Sequence, residues 1–130
     1  MMLVDTNVLI RVAEYRLPND RGLLSAINLA ELGFGVHCAA DARIRRARLA
    51  HITRAQAMFS SGWLPFDDRA AEGAGYLSAI VSRTRSAHAR SRDILLAGHA
   101  YALGASLVTR NPKDFELVAD EVEIIVPELR

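Results

Sequence analysis

The sequence predicts an α/β protein, a three-layer α/β/α sandwich around a central, mostly parallel sheet. Short apolar segments alternate with longer segments of helical pattern along the 130 residues, which is typical of parallel sheets whose strands are joined by helices. The first apolar segment, Met2–Val4, runs directly into Asp5, as expected for a buried parallel strand with a carboxylate at its carboxyl end. No internal repeat or linker interrupts the chain, so a single domain over residues 1–130 is expected.

The first half of the chain is predicted to contain two strands and three helices. Apolar runs bounded by turn residues mark the strands, and apolar residues at helical spacing mark the helices. The aspartate before the third helix can cap it. The predicted elements are a strand at 2–5, a helix at about 7–15, a strand at 23–27, and helices at 28–40 and 42–59.

The second half continues the alternation of strands and helices. Pro65 lacks an N–H group, so the strand that contains it is expected at an edge of the sheet. Gly104 is a good residue to end the last long helix. The predicted elements are a strand at 63–66, a helix capped by Asp67 or Asp68 that extends to about 83, a helix at 92–103, and strands at 105–109 and 122–126.

Composition excludes several classes of protein. Hydrophobic residues make up 51% of the chain, too many for a disordered segment, yet no apolar stretch approaches the roughly 18 residues of a membrane span. The first residues lack the basic segment and apolar core of a secretory signal. The single cysteine, Cys38, excludes an internal disulfide and is expected to be buried as a small apolar side chain. A cytoplasmic protein without a membrane partner is the simplest interpretation.

The net charge of +1 is the sum over a chain that contains two arginine-rich segments, residues 43–54 and 83–92. Fifteen of the sixteen basic residues are arginine, the side chain that forms bidentate contacts with phosphate and carboxylate groups. A GC-rich coding bias and solvated helix faces explain any single arginine. For the two groups together, binding to an anionic polymer or an acidic partner explains them as well as this simpler account does. The arginines predicted to contact RNA are Arg43, Arg45, Arg46, Arg48, Arg90 and Arg92.

Acidic and amide side chains recur where strands end or helices begin. Asp5 ends the first strand, Glu31 lies in the first turn of the helix after the second strand, and Asp93 opens the last long helix. Asn111 and Asp114 follow the fourth strand. Because ligands bind at the carboxyl ends of parallel strands, these side chains are expected to converge within a few ångströms. Asp5 in particular requires a metal, a cation or a proton, since an isolated buried charge is costly.

Hard oxygen ligands of this kind suit Mg²⁺ or Mn²⁺. Such an ion lowers the pKa of a bound water and neutralises charge that develops on a phosphate. The chain contains no phosphate-binding glycine loop, nucleophile elbow or His-Glu-x-x-His motif that offers other chemistry. Structural roles stay open for three of the residues: Glu31 can complete a capping box, Asp93 can complement a helix dipole, and Asn111 can form a turn.

Four segments follow one another in an order typical of one family: Leu3–Ile10, Ser25–Leu32, Arg92–Ala100 and Gly104–Phe115. They resemble the PIN-domain ribonucleases, and most closely the VapC-type toxins of bacterial toxin–antitoxin pairs. Each segment is weakly diagnostic alone, but four in order over nearly the whole chain are specific.

The resemblance implies a PIN-like fold and a Mg²⁺- or Mn²⁺-dependent endoribonuclease that cleaves RNA with a metal-activated water. Asp5, Glu31 and Asp93 match the acidic positions of the family, which implies that they are catalytic residues and metal ligands. Asn111 matches a fourth catalytic position that is Asp or Asn in the family, and its amide lowers the negative charge of the site. Residues implied at the rim are Thr109, Asp114 and Asn7.

The resemblance also implies partners: an RNA substrate, a cognate antitoxin protein and a second copy of the chain in a homodimer. The segment between Asp5 and Glu31 is short for the family. The helical region that usually fills it, part of the dimer and antitoxin surface, is therefore expected to be trimmed.

Two other functions remain open. Phosphatases of the haloacid-dehalogenase type use an aspartyl nucleophile with a second acid two residues later, and here that position is Asn7, which ranks this function low. A non-catalytic PIN-like module that binds RNA or protein is the second alternative. The presence of Asp5, Glu31 and Asp93 together argues against it, because a lost activity places no demand on all three.

Overall fold

The structure is a computed structural model that describes residues 1–130. It contains seven strands: β1 (Met2–Val4), β2 (Tyr15–Arg16), β3 (Gly22–Ser25), β4 (Trp63–Leu64), β5 (Ser106–Val108), β6 (Ile124–Ile125) and β7 (Glu128–Leu129). Five of them form a sheet in the order β4-β3-β1-β5-β6, and every pairing in it is parallel. The carboxyl ends of all five strands therefore lie at one edge.

Five α-helices accompany the sheet: α1 (Thr6–Leu9), α2 (Ala26–His37), α3 (Ala42–Met58), α4 (Asp68–Ser82) and α5 (Arg92–Leu103). Each begins after a residue whose side chain accepts a hydrogen bond from the first turn, which satisfies an otherwise unpaired N–H group. None of the helices combines the length and apolar composition needed to cross a membrane. The capping residues are Asp5, Ser25, Asp41, Asp67 and Ser91.

Two apolar clusters on opposite faces of the sheet form the core. On one face Leu3 and Leu107 pack with side chains of α4 and α5. On the other face Val4 and Val108 pack with side chains of α1 and the end of α3. Neighbouring residues of one strand serve different clusters because successive side chains point to opposite faces. Helices on both faces confirm the predicted three-layer α/β/α sandwich.

Helices α4 and α5 approach each other at two glycines. A Cβ atom at Gly98 would lie 2.4 Å from the Cα atom of Ala74. A Cβ atom at Gly73 would lie 2.4 Å from the carbonyl oxygen of Gly98. No side chain tolerates these distances, so α5 lies in close backbone contact with α4.

Most predicted elements are confirmed, with shifts of one to three residues at their ends. The helices predicted at 42–59 and 92–103 are α3 and α5. The strand predicted at 63–66 is β4, which lies at the edge of the sheet and ends at Leu64, directly before Pro65. Gly104 ends α5 in the left-handed conformation, with φ at 66°.

Three details of the prediction are wrong. The helix at 7–15 ends at Leu9, and Tyr15 instead pairs with Leu129 in a small antiparallel sheet, where its side chain is buried. The helix predicted to begin at residue 28 begins at Ala26, because Ser25 caps it. Cys38 is exposed rather than buried, since α2 ends one residue before it.

Candidate metal centre

Asp5 lies at the carboxyl end of the central strand β1 and caps α1. Its side chain is almost fully buried, with 7% of its surface exposed. One carboxylate oxygen, Oδ1, accepts a 2.7 Å hydrogen bond from the backbone N–H of Thr6. The other, Oδ2, accepts a 2.8 Å hydrogen bond from the hydroxyl of Thr109. Neutral donors therefore set the orientation of this carboxylate.

Burial raises the pKa of Asp5, and the hydrogen bonds from Thr109 and Thr6 only partly offset that increase. The nearby charge of Asp93 raises the pKa of Asp5 further, whereas Arg92 lowers it. A buried carboxylate whose charge is only partly compensated favours a cation beside it.

The residues predicted at the rim hold Thr109 in place. The Thr109 hydroxyl accepts a 3.1 Å hydrogen bond from the backbone N–H of Asn111 and a 3.5 Å bond from the side-chain amide of Asn7. The carbonyl oxygen of the same Asn7 side chain accepts from the backbone N–H of Arg110 at 3.3 Å. The side chain of Asn111 itself is exposed and makes no hydrogen bond. Asn111 thus reaches the site through its backbone.

Glu31 lies in the second turn of α2, one turn later than predicted. The capping box at the start of α2 is formed by Ser25 and Asn28, so Glu31 has no capping role. Its Oε1 atom forms a 3.0 Å ion pair with the guanidinium Nε of Arg92, and the Glu31 side chain is only 15% exposed.

Burial also raises the pKa of Glu31, from 4.5 to about 7, with the charges of Asp5 and Asp93 contributing. Arg92 and the Thr6 hydroxyl act in the opposite direction. Glu31 is therefore close enough to both other carboxylates to sense their charge, and it is the acid that titrates nearest neutral pH.

Asp93 lies in the first turn of α5, after the capping residue Ser91. Burial raises the pKa of Asp93, and the charge of Asp114 raises it further, whereas His88 and Arg92 lower it. The charge of Asp114 is therefore near enough to Asp93 to raise its pKa, and a place for Asp114 at the rim of a metal site stays a prediction.

The positive charge of Arg92 acts on all three acids. Arg92 lowers the pKa of Asp5, Glu31 and Asp93, although it forms an ion pair only with Glu31. The expectation that the three carboxylates converge into a ready-made ligand cluster is not met, because no group of three acidic, histidine or cysteine side chains is arranged to hold an ion. Glu31 is instead turned towards Arg92.

Comparison with known families agrees with the fold. The family model of the PIN domain matches residues 2–121, which include all four segments that carry the resemblance. The chain belongs to the PIN-domain family. Comparison with curated proteins gives no match.

Solved structures place this PIN domain among VapBC-type proteins. A member of the VapBC family of toxin–antitoxin systems, VapBC-5 from Mycobacterium tuberculosis, is 30% identical over 95% of each chain, with a TM-score of 0.76. FitAcB from Neisseria gonorrhoeae is 23% identical over 97% of each chain, with a TM-score of 0.74. DNA-bound VapBC from Salmonella typhimurium is 24% identical over 95% of each chain, with a TM-score of 0.68; these last two likenesses show the fold alone. The VapC-type resemblance found in the sequence is confirmed.

The donor set of this PIN domain fits a divalent cation. The buried Asp5 carboxylate receives hydrogen bonds only from two neutral donors, and together with the more distant charge of Arg92 they do not offset the effect of burial on its pKa. Asp5, Glu31 and Asp93 interact electrostatically at one edge of the sheet, and their hard oxygens suit Mg²⁺ or Mn²⁺. In the structure Glu31 Oε1 is paired with Arg92, which competes with a cation for this carboxylate.

The predicted RNA-binding arginines of the PIN domain separate into two groups. Arg48 and Arg92 line one cavity together with Glu31. Arg46 faces a different surface, near Leu49. The remaining three form no ion pair and are exposed: Arg43, Arg45 and Arg90.

Three residues next to the site were not predicted from the sequence to have a role there: Thr6, Ser25 and His51. Thr6 stabilises the charged form of Glu31 and accepts a 3.1 Å hydrogen bond from the buried Asn28 amide. His51 lines the same cavity as Glu31. Ser25 caps α2 and forms a capping box with Asn28, three residues later. This pair is a capping signal that places the start of α2 correctly.

Proposed function

We propose that this PIN domain, a single domain over residues 1–130, is a Mg²⁺- or Mn²⁺-dependent endoribonuclease. The observation that supports this proposal most is the buried Asp5 carboxylate, which lies at the carboxyl edge of a parallel sheet and senses the charge of Asp93. Glu31 senses both of these acids. Such a set of coupled carboxylates is costly to maintain and fits the binding of a hard cation.

Each side chain has a proposed role. Asp5, Glu31 and Asp93 hold the cation, while Asn111 and Asp114 lie at the rim. When bound, a divalent ion supplies an activated water and neutralises the charge that develops on the phosphate. Thr109 donates a hydrogen bond to Asp5 Oδ2, and Asn7 donates one to the hydroxyl of Thr109. Together they keep the Asp5 carboxylate in a fixed orientation.

The proposed substrate is RNA, cleaved without help from its 2′-hydroxyl. The arginines of α3 and of the segment before Asp93 would attract the RNA backbone, with Arg48 and Arg92 nearest the acids. Hydrolysis by water predicts products with a 5′-phosphate and a 3′-hydroxyl.

We further propose that the chain is the toxin of a toxin–antitoxin pair in the cytoplasm and forms a homodimer. This proposal rests on the similarity to VapBC-5, whose name describes a toxin–antitoxin system. The cognate antitoxin would place a basic side chain in the acidic cleft, where Asp5 and its neighbours favour a cation.

A non-catalytic PIN module that binds RNA or protein is the second candidate. One observation favours it: the three carboxylates do not form a ready-made ligand cluster, and Glu31 is already paired with Arg92.

Cleavage of RNA by the purified chain tests the proposal. Total RNA is incubated with the protein and Mg²⁺ or Mn²⁺, then with EDTA, and new 5′ ends are mapped. We expect cleavage that EDTA abolishes, with 5′-phosphate ends. Asp5→Asn should remove cleavage without lowering thermal stability, because it relieves repulsion among the acids.

Asp120→Asn is the matched control, since it removes the same charge from an exposed residue without a side-chain hydrogen bond. In cells, expression of the wild type and of Asp120→Asn should arrest growth, whereas Asp5→Asn should not. Products with cyclic phosphates would contradict the mechanism. A wild type as inert and harmless as Asp5→Asn would leave the non-catalytic module as the function.

A further inference from the structure

A cavity of about 210 Å³ lies beside Glu31, between α2, α3 and α5. Its polar walls include Thr6, Glu31, Arg48, His51 and Arg92. The acid of this cavity is shared with the candidate metal centre, whereas Arg48 and His51 come from α3 and have no part in that centre. The cavity is therefore a second compartment next to the site of chemistry.

The charges of the cavity favour an anion. Arg48 donates one hydrogen bond, at 2.7 Å, to the carbonyl oxygen of Gly35, which fixes its guanidinium at the wall. Its other N–H groups make no hydrogen bond in the structure. Burial lowers the pKa of His51, and the charges of Arg54 and Arg48 lower it further. These effects favour the neutral form of the ring, which offers one N–H donor.

Arg92 is the movable member of the cavity. Its side chain is 60% exposed and contacts only Glu31. If Glu31 turned towards a bound divalent cation, Arg92 would lose this ion pair and would keep its positive charge in the same cavity as Arg48. The cavity would then carry two unpaired guanidinium groups, a combination suited to a phosphate.

We propose that this cavity, lined by Arg48, His51 and Arg92, binds a single backbone phosphate of the RNA next to the phosphate that is cleaved. The inference rests on the proposed ribonuclease function and adds to it a subsite on α3. It separates Arg48 and Arg92, which hold one defined phosphate, from the exposed arginines of α3, which attract the RNA without a fixed contact.

RNA binding by cavity variants tests the subsite. Fluorescence anisotropy with a labelled single-stranded 12-nucleotide RNA and Mg²⁺ is measured in the Asp5→Asn background, which keeps the RNA intact. We expect Arg48→Gln to weaken binding about tenfold and to reduce the slope of log K against log salt by about 0.7, the value for one phosphate contact on a single strand. Arg69→Gln, an equal charge change on α4 outside the cavity, should leave both within about twofold.

Two further variants separate phosphate binding from a structural role. Arg48→Lys keeps the charge and should retain most of the affinity and the full salt slope. His51→Ala removes a side chain that makes no hydrogen bond in the structure, and it should weaken binding about threefold. Equal losses in Arg48→Gln and Arg48→Lys, with unchanged salt slopes, would show that Arg48 only joins α3 to α2 and would overturn the subsite.

Neutral methylphosphonate substitutions, placed at one phosphate of the RNA at a time, locate the contact. One position should cost the Asp5→Asn protein about tenfold in affinity and should cost the Arg48→Gln variant nothing more. The absence of any such position would overturn the inference, as would RNA binding unchanged by all cavity variants. Cleavage by the wild type is measured in parallel. If the wild type cleaves RNA but the cavity variants bind RNA as tightly as their parent, only the subsite is overturned. If the wild type neither cleaves nor binds RNA, the ribonuclease proposal is overturned as well.

Discussion

The two sides of the acidic cleft are built differently. On the β1 side, Asp5 is buried and receives its hydrogen bonds from neutral groups, the backbone of Thr6 and the hydroxyl of Thr109. On the α2 side, Glu31 is held by a charged partner, the exposed guanidinium of Arg92. The first carboxylate is oriented mainly by neutral hydrogen-bond donors, whereas the second is partly compensated by an exposed charged group.

In the proposed metal centre, this difference would separate a ligand held in a fixed orientation from one that has an exchangeable partner. Neutral donors orient Asp5 without forming an ion pair with it, so its charge would be available to an incoming cation. The affinity of Glu31 for a metal is reduced by whatever free energy the ion pair with Arg92 contributes. Substitutions that exchange the two kinds of support should therefore act in opposite directions.

Removal of the Thr109 hydroxyl, the neutral donor to Asp5, should have the largest effect on metal affinity. Thr109→Val deletes the hydroxyl that lowers the pKa of Asp5 and orients its Oδ2 atom, and loss of such a partner typically costs about 10- to 100-fold in metal affinity. Mn²⁺ titration followed by electron paramagnetic resonance measures the change, with Thr109→Ser as the control that keeps the hydroxyl. Wild-type affinity in Thr109→Val would show that the backbone donor of Thr6 suffices.

The charge of Glu31 should make the metal-free chain less stable at high pH. Its pKa is raised from 4.5 to about 7 in the folded chain, so the folded state holds this proton more tightly than the unfolded state. The contribution of Glu31 to stability is therefore complete below pH 4.5 and is lost as the pH rises to about 7. Glu31→Gln should be more stable than the wild type at pH 8 by about 2 kcal/mol, discounted from 1.4 kcal/mol per pKa unit for partial exposure.

Urea unfolding in EDTA at pH 4.5 and pH 8 measures this difference. Glu116→Gln removes an equivalent charge from an exposed position and should show no gain at pH 8. Equal stabilities of Glu31→Gln and the wild type at both pH values would mean that Arg92 compensates the charge of Glu31 fully.

Removal of the charged support should have the smallest effect and the opposite sign. Arg92→Gln frees Glu31 from a partly exposed ion pair, which is worth about 0.2–1 kcal/mol, so Mn²⁺ should bind up to about fivefold more tightly in the absence of RNA. Arg85→Gln, an exposed arginine without an ion pair, should stay within twofold of the wild type. Weaker Mn²⁺ binding by Arg92→Gln would show that Arg92 positions Glu31 instead of competing for it.

The sequence predicts the parts of this site that local patterns encode. A carboxylate directly after an apolar strand places Asp5, and a serine before an amphipathic run places Asp93 in a first helical turn. The same kind of capping signal is present at Ser25. The predicted helix did not use this cap, so its predicted start was two residues too late and Glu31 was expected one turn too early.

Other parts depend on contacts between distant segments and have no local pattern. The ion pair of Glu31 with Arg92 joins two helices from different halves of the chain. The antiparallel pairing of Tyr15 with Leu129 involves strands of two residues, too short for any periodicity to predict. The fold class, by contrast, follows from the alternation of strands and helices and needs no such contact.

The glycine contact between α4 and α5 widens the set of mutations that can inactivate the protein. A methyl group at Gly98 or Gly73 has no space, so the helix that carries Asp93 must move away from its neighbour. The genetic target for loss of function therefore extends beyond the acidic cleft to two positions that contact neither metal nor RNA. If the chain is a toxin, a selection for surviving cells should recover Gly98→Ala and Gly73→Ala alleles beside changes in the carboxylates.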